Sequence, residues 1–279
     1  MIVIDAHQHF WRLARGGYAW LTPDIGVLYR DFEPADLAPL LARNDVTASV
    51  VVQAAANEAE THFLFELARE HAFIKGVVGW TEFDAPDVAR RIAALVAAGA
   101  GKLKGLRPMI QDIADGGWVA RPRLDAAFAA MIDHGLVFDA LVKPRHFGAL
   151  LSRLQRQPQL RCVIDHAGKP DIAHDGFDAW ARSLERLARE TGACCKLSGL
   201  LTEAASGATA ADLAPYVEHV FACFGAERVL WGSDWPVLDL ASDYGAWFAM
   251  ARNLVASCAT GFETQIFGAN AVSLYRLDF

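Results

Sequence analysis

No Cys-x-x-Cys pair occurs among the five cysteines of this chain, so the usual signature of a thiolate metal site or a redox dithiol is missing. The odd count also argues against a disulfide framework, and free, mostly buried thiols in a cytoplasmic protein are expected. Basic residues are not in excess: 26 Lys and Arg stand against 33 Asp and Glu, a formal charge of −7. That argues against a nucleic-acid or anionic-membrane partner, which would call for a clustered positive surface. No apolar run approaches the roughly 18 residues of a membrane helix. The start, Ile2-Val3-Ile4-Asp5, has no basic segment ahead of an apolar one, so no signal peptide is expected. Also missing are a Pro/Gly/Ser linker and a Gly-x-Gly-x-x-Gly turn after the first apolar run. The latter speaks against a doubly wound dinucleotide-binding sheet.

What is present is a 279-residue chain, 53% apolar, that can bury a large core. Short β-rich runs alternate with amphipathic helical stretches. The candidate strands are 2–7, 47–53, 74–80, 103–107, 136–141, 161–166, 194–198 and 229–233. Eight is the number a closed parallel barrel requires, and several runs are almost continuously apolar, as strands covered on both faces should be. The expectation is one (β/α)8 TIM barrel spanning 1–279 as a single domain, with a final helix over about 262–275. Asn57 with Glu60 reads as a helix start, and Asp84 with Pro86 as another, ahead of Val88, Ile92 and Leu95. The stretch 11–32 reads as a long loop after strand one. Adjacent Cys194 and Cys195 should point to opposite faces of their strand.

In such a barrel the chemistry sits at the carboxyl ends of the strands. Strand one ends Asp5-Ala6-His7-Gln8-His9. Alternation puts His7 and His9 on one face, with Val3 and Asp5, a geometry that suits chelation of one cation. Strand six ends Asp165-His166-Ala167-Gly168-Lys169-Pro170, and strand eight ends Gly232-Ser233-Asp234-Trp235-Pro236. A lone histidine or aspartate before a turn is usually structural. Ionisable groups ending strands one, six and eight together point to a functional mouth.

These segments carry a resemblance. Ile4-Asp5-Ala6-His7-Gln8-His9-Phe10-Trp11 is the most specific. Lys104-Gly105-Leu106-Arg107-Pro108, the strand-six segment, Lys196-Leu197-Ser198-Gly199, the strand-eight segment and Gly268-Ala269-Asn270-Ala271 follow in order. Over nearly its whole length the sequence resembles the amidohydrolase superfamily, in the branch labelled amidohydrolase 2, and within it the sugar-lactone hydrolases. The resemblance implies a hydrolase acting on a small sugar lactone, L-fuconolactone or one like it. Asp234 and His166 would be its catalytic pair, and His7, His9 and Asp234 its metal ligands if a metal is bound. Strand five reads Leu136-Val137-Phe138-Asp139-Ala140-Leu141 and lacks the histidine many superfamily members use. One divalent ion, zinc, or none is therefore expected, not two.

Arg107, Lys104, Trp80 and Trp235 are the candidate substrate contacts. Arg107 would hold a carbonyl or carboxylate oxygen, the tryptophans would form an apolar wall, and Lys104 could alternatively be a carbamylated metal ligand. Asn57, Asp139 and Ser198 are secondary candidates for binding hydroxyls. His62, His71, His134 and His219 fall in helices and read as structural; His146 and His174 have no assigned place. A decarboxylase of the same branch and a non-catalytic sugar-acid binder are the competing functions. Carbon dioxide release, or tight binding without turnover, would distinguish them.

Overall fold

The computed structural model describes residues 2–174 and 176–279. Its strands are β1 Ile4–Gln8, β2 Ala48–Val52, β3 Ile74–Gly79 and β4 Leu103–Leu106. They continue as β5 Val137–Ala140, β6 Cys162–Ile164, β7 Cys194–Leu197 and β8 Val229–Trp231. All pair in parallel and in chain order. The cylinder closes just beyond β8, where Asp234 N donates to His7 O (2.8 Å) and His9 N to Trp235 O (2.7 Å). The expected (β/α)8 TIM barrel is present.

The helices are α1 Pro34–Arg43, α2 Glu58–Glu70, α3 Val88–Gly99, α4 Asp125–Asp133 and α5 Phe147–Arg156. After them come α6 Phe177–Glu190, α7 Ala210–Phe224, α8 Tyr244–Cys258 and α9 Asn270–Tyr275. Among the described residues no helix is long and apolar enough to cross a membrane. Asn57 caps α2 by accepting from Glu60 N (2.8 Å). The helix start expected at Asp84 lies further on: Asp87 precedes α3, and Asp84 pairs with Arg123 at 2.8 Å.

Two apolar clusters result. Strand residues of one phase, among them Ile4, Val50, Val137, Val163 and Leu230, fill the barrel axis; the other phase, such as Phe138, Ile164 and Leu197, packs under the helices. Cys194 joins the inner set and Cys195 the outer, as alternation requires.

The C-terminal segment plugs the amino ends of the strands, with Ala271, Tyr275 and Leu277 entering the inner cluster. Gly268 makes this possible, because a Cβ there would stand 2.1 Å from Ile2 O. Asn270 then donates to Ala226 O (2.8 Å) and Val229 O (2.7 Å), tying the plug to the start of β8. The final helical segment runs over 263–275, close to the expected bounds, with a π turn over Gln265–Ala269 leading into α9.

Candidate active site

Strict alternation fails where the chemistry begins. The β1–β2 register slips between Asp5 and Gln8, so Ala6 packs into the axis and yet His7, the next residue, reaches inward too. Asp5 therefore does not share a face with His7. It points outward, where its carboxylate accepts from Ser233 N (2.8 Å), Ser233 Oγ (2.6 Å), Tyr244 OH (3.0 Å) and His7 N (3.2 Å). Burial raises its pKa to about 6 against these hydrogen bonds. Asp5 is a clamp that binds the end of β1 to the Ser233-Asp234 turn.

The bulge lets both histidines converge on Asp234. His9 Nδ1 lies 2.7 Å from Val52 O, and a carbonyl only accepts, so the His9 proton sits on Nδ1 and Nε2 is bare. That nitrogen is 3.2 Å from His7 Nε2 and 3.3 Å from Asp234 Oδ1; His7 Nε2 is 3.7 Å from the same oxygen.

His166 approaches from the opposite side, its Nε2 3.9 Å from Asp234 Oδ1. It starts a left-handed turn in which His166, Ala167, Gly168 and Lys169 have φ of 53, 51, 72 and 54°. Asp234 is left-handed as well, at 62°. Such conformations persist only where surroundings enforce them and concentrate at functional sites. Ser198 Oγ holds His166 Nδ1 at 2.9 Å, and the ring lies so close to Gly199 that a Cβ there would be 2.5 Å from Nδ1.

Arg107 completes the group. Its Nη2 donates to Gln53 O, and its Nη1 is 3.3 Å from His7 Nε2. Beneath lies a fully buried ionic layer. Lys196 Nζ is 2.5 Å from Asp139 Oδ2, 2.9 Å from Asp165 Oδ1 and 3.1 Å from His7 Nδ1, while Tyr275 OH donates to Asp139 at 2.7 Å.

Burial pushes the histidines down, His166 to about 4, so at neutral pH the three rings are uncharged. Burial opposes ionisation of Asp234, but the surrounding imidazoles, with His166 the strongest, hold its carboxyl well below the usual range. Burial likewise opposes Asp165, which Lys196 and His7 keep ionised. Asp139 is raised to about 6 by burial, with Lys196 pulling the other way.

Above Asp234 opens a cavity of about 120 Å³ lined by His9, Arg107, His166, Asp234, Trp20 and Lys169, with Met109, Gln111 and Leu141 on its walls.

Of the expected site residues, His7, His9, Arg107, His166 and Asp234 are brought together. Lys104 is not. Its amine turns to the opposite end of the barrel and donates to Arg276 O (2.8 Å), near Asp278. Trp235 is buried against Phe10 and Phe32, sealing the barrel rather than walling the cavity. Trp80 does not line the cavity, and its backbone is tied to Thr61. Asp139 is engaged by Lys196 and Tyr275, Ser198 by His166, and Asn57 by its helix, and none of the three lines the cavity. His219 packs on Phe177 and Trp180; His146 accepts from Lys143 N; His174 pairs with Asp171.

Trp20, Lys169 and Lys196 went unassigned in the sequence. Trp20 comes from the loop after β1, where its indole donates to Ala54 O (2.9 Å) and its ring meets Trp11 edge-on. Nothing in the loop's composition marks which of its aromatics turns inward. For Lys196 a signal existed, a lone cation inside an apolar strand.

The donor set fits one divalent ion. Two imidazole nitrogens and a carboxylate oxygen, from His7, His9 and Asp234, lie within 4.8 Å of one another, and zinc takes such ligands while keeping a fourth position open. Fold and site together define a barrel hydrolase of the metal-capable His-x-His and Asp type. The chain belongs to the amidohydrolase family, whose model matches residues 4–277. It is 45% identical to an L-fucono-1,5-lactonase of Burkholderia ambifaria, over 99% of this chain and 96% of that protein. It is 37% identical to an L-fucono-1,5-lactonase of Burkholderia multivorans, over 98% and 96%. An amidohydrolase from Burkholderia multivorans crystallised with bound zinc superimposes with a TM-score of 0.93, at 35% identity and full coverage of both chains.

Proposed function

We propose that this protein hydrolyses a sugar lactone, L-fucono-1,5-lactone first among them, to the open-chain sugar acid, with residues 1–279 working as one domain. The observation that carries the reading is the convergence of Asp234, His9, His166 and Arg107 on one cavity, in a chain so similar over its length to L-fucono-1,5-lactonases.

Asp234 accepts a proton from the attacking water and returns it to the ring oxygen as the ester bond breaks. A carboxylate held this far below its usual range is ionised throughout the working pH range but is a weak base. Groups that stabilise the oxyanion formed at the ring carbonyl supply the rest of the catalysis. Arg107 is suited to this, because its buried Nε has no hydrogen-bond partner and its charge is permanent. His166 is the second donor. Ser198 Oγ engages its Nδ1 at 2.9 Å, which leaves Nε2 facing Asp234 Oδ1 at 3.9 Å. Trp20 offers an apolar face to the sugar ring, and Lys169 and Gln111 offer polar contacts to its hydroxyls. A divalent ion held by His7, His9 and Asp234 would add Lewis-acid polarisation when bound. A cytoplasmic location belongs to the same proposal, supported by five free cysteines.

The test is a panel of aldonolactones assayed by acid release with a pH indicator, with carbon dioxide followed in parallel. Acid release greatest with L-fucono-1,5-lactone supports the reading. Carbon dioxide release from sugar or aromatic acids without lactone opening overturns it.

A further inference from the structure

His7 has two neighbours of opposite character at one ring nitrogen. Its Nδ1 lies 3.1 Å from Lys196 Nζ and 3.3 Å from Asp165 Oδ1, all three side chains being fully buried. An ammonium only donates and a carboxylate only accepts. Lys196 therefore supports the tautomer with Nδ1 bare and the proton on Nε2, whereas Asp165 supports the reverse. In this structure the Lys196 contact has hydrogen-bond geometry. Asp165 Oδ1 is met by Lys196 Nζ at 2.9 Å, whereas Oδ2 has no hydrogen-bond partner, with Arg107 Nη1 3.8 Å away. A buried acceptor left open is costly and calls for an explanation.

The other ring nitrogen supplies one. His9 Nε2 is bare, because His9 donates from Nδ1 to Val52 O. With its proton on Nε2, His7 donates to His9 across 3.2 Å and the pair is satisfied. With the proton on Nδ1, the lone pairs of His7, His9 and Asp234 converge on one point, the donor set of a divalent ion. Arg107 Nη1, 3.3 Å from His7 Nε2, is the one donor that also favours this second arrangement.

We propose that Lys196 and Asp165 act as a tautomer selector for His7. Lys196 holds the metal-free form, in which His7 is a donor to His9. Asp165 receives the Nδ1 proton when a divalent ion takes Nε2. One proton leaves Nε2 and one arrives at Nδ1 through the solvent of the cavity, so His7 stays neutral and Lys196 keeps its three. Both are positioning residues acting through His7, and the inference does not depend on which substrate is turned over.

The test uses the full chain labelled with ¹⁵N-histidine, stripped by chelator and titrated with zinc alone, the His7 signals being assigned by their loss in His7→Gln. Metal-free protein should show His7 protonated at Nε2, and zinc should move the proton to Nδ1. In Lys196→Met the Nδ1 proton should be present before zinc is added, and zinc should bind at least about tenfold more tightly. Asp165→Asn should weaken zinc by about 10–100-fold, as loss of an outer-sphere partner does. Removing a nearby cation tightens zinc by itself, so the nitrogen spectrum decides. Where Lys196→Met fails to fold, Lys196→Met/Asp139→Asn removes one charge of each sign and serves in its place. A His7 proton on Nδ1 in the metal-free parent, or zinc binding with no change at that nitrogen, overturns the proposal.

Discussion

Replacing Asp234 by asparagine tests the reaction most directly. The amide keeps the shape of the side chain and its hydrogen bonding, but it cannot accept a proton at neutral pH. General-base catalysis is typically worth about 10²–10⁴-fold, and kcat should fall by that much. The backbone should tolerate the change. Asp234 has φ of 62°, a region asparagine enters as readily as aspartate, and its main-chain bonds to His7 O (2.8 Å) and from Leu238 N (3.0 Å) do not involve the side chain. The folded protein holds the Asp234 carboxyl below its unfolded value, so the charge stabilises the fold above about pH 4 and ceases to as pH falls through the folded pKa. Asn should thus cost about 1–2 kcal/mol at neutral pH, and less in acid. The assay is lactone opening followed with a pH indicator, beside thermal melts, each with chelated and zinc-supplemented protein so that loss of a ligand is separated from loss of the base. A variant within tenfold of the parent rate would refute the assignment, and one that unfolds would make Asp234 a structural cap.

Three further outcomes are expected. Glu60 is buried, accepts from Tyr18 OH (2.8 Å) and has its pKa raised by burial from 4.5 to about 7. Stability should therefore drop by about 3 kcal/mol as pH rises through that window, and Glu60→Gln should abolish the slope in urea titrations. Ser198→Ala removes the bond that orients His166, so kcat should fall about tenfold or more at a stability cost of about 1 kcal/mol; an unchanged kcat would remove His166 from the mechanism. Trp20→Ala should raise KM more than it lowers kcat, with partial rescue by Trp20→Phe; an unaffected KM would place the sugar elsewhere.

The barrel was legible because its elements obey one period each. All eight expected strands are present, yet two of those that carry the chemistry, β6 and β8, end early. The run expected to reach His166 stops at Ile164, and that expected to reach Ser233 stops at Trp231. In both, the chain leaves the extended region to enter the left-handed turn that presents His166 or Asp234. Propensity cannot see such a turn, because neither residue is glycine and tertiary contacts impose it. The bulge in β1 is hidden for a similar reason. It is fixed by the Asp5 carboxylate gripping Ser233, 228 positions away, and it reverses the face on which Asp5 was expected.

The ionic layer could have been read from strand phase. Along β5, β6 and β7 the inner residues Val137, Val163 and Cys194 are each followed two positions later by Asp139, Asp165 and Lys196. Two residues is one step up the axis, so three neighbouring strands place three ionisable groups in one layer above the apolar plug. Taken singly, each is only a charge in an apolar strand; the pairing appears once the strands are set side by side. Burying such a layer is expensive, and its partners do not cancel. Lys196 and Arg107 supply two cations against Asp139, Asp165 and Asp234, with the three histidines neutral. Lys196 lies between Asp139 and Asp165, and Arg107 Nη1 is 3.8 Å from Asp165, so the two cations offset the two deeper carboxylates and the remaining negative charge falls to Asp234, the one carboxylate of the set that lines the cavity. A barrel arranged in this way is charged to receive a cation or a proton at its mouth, and the same physical feature serves metal binding and general-base catalysis.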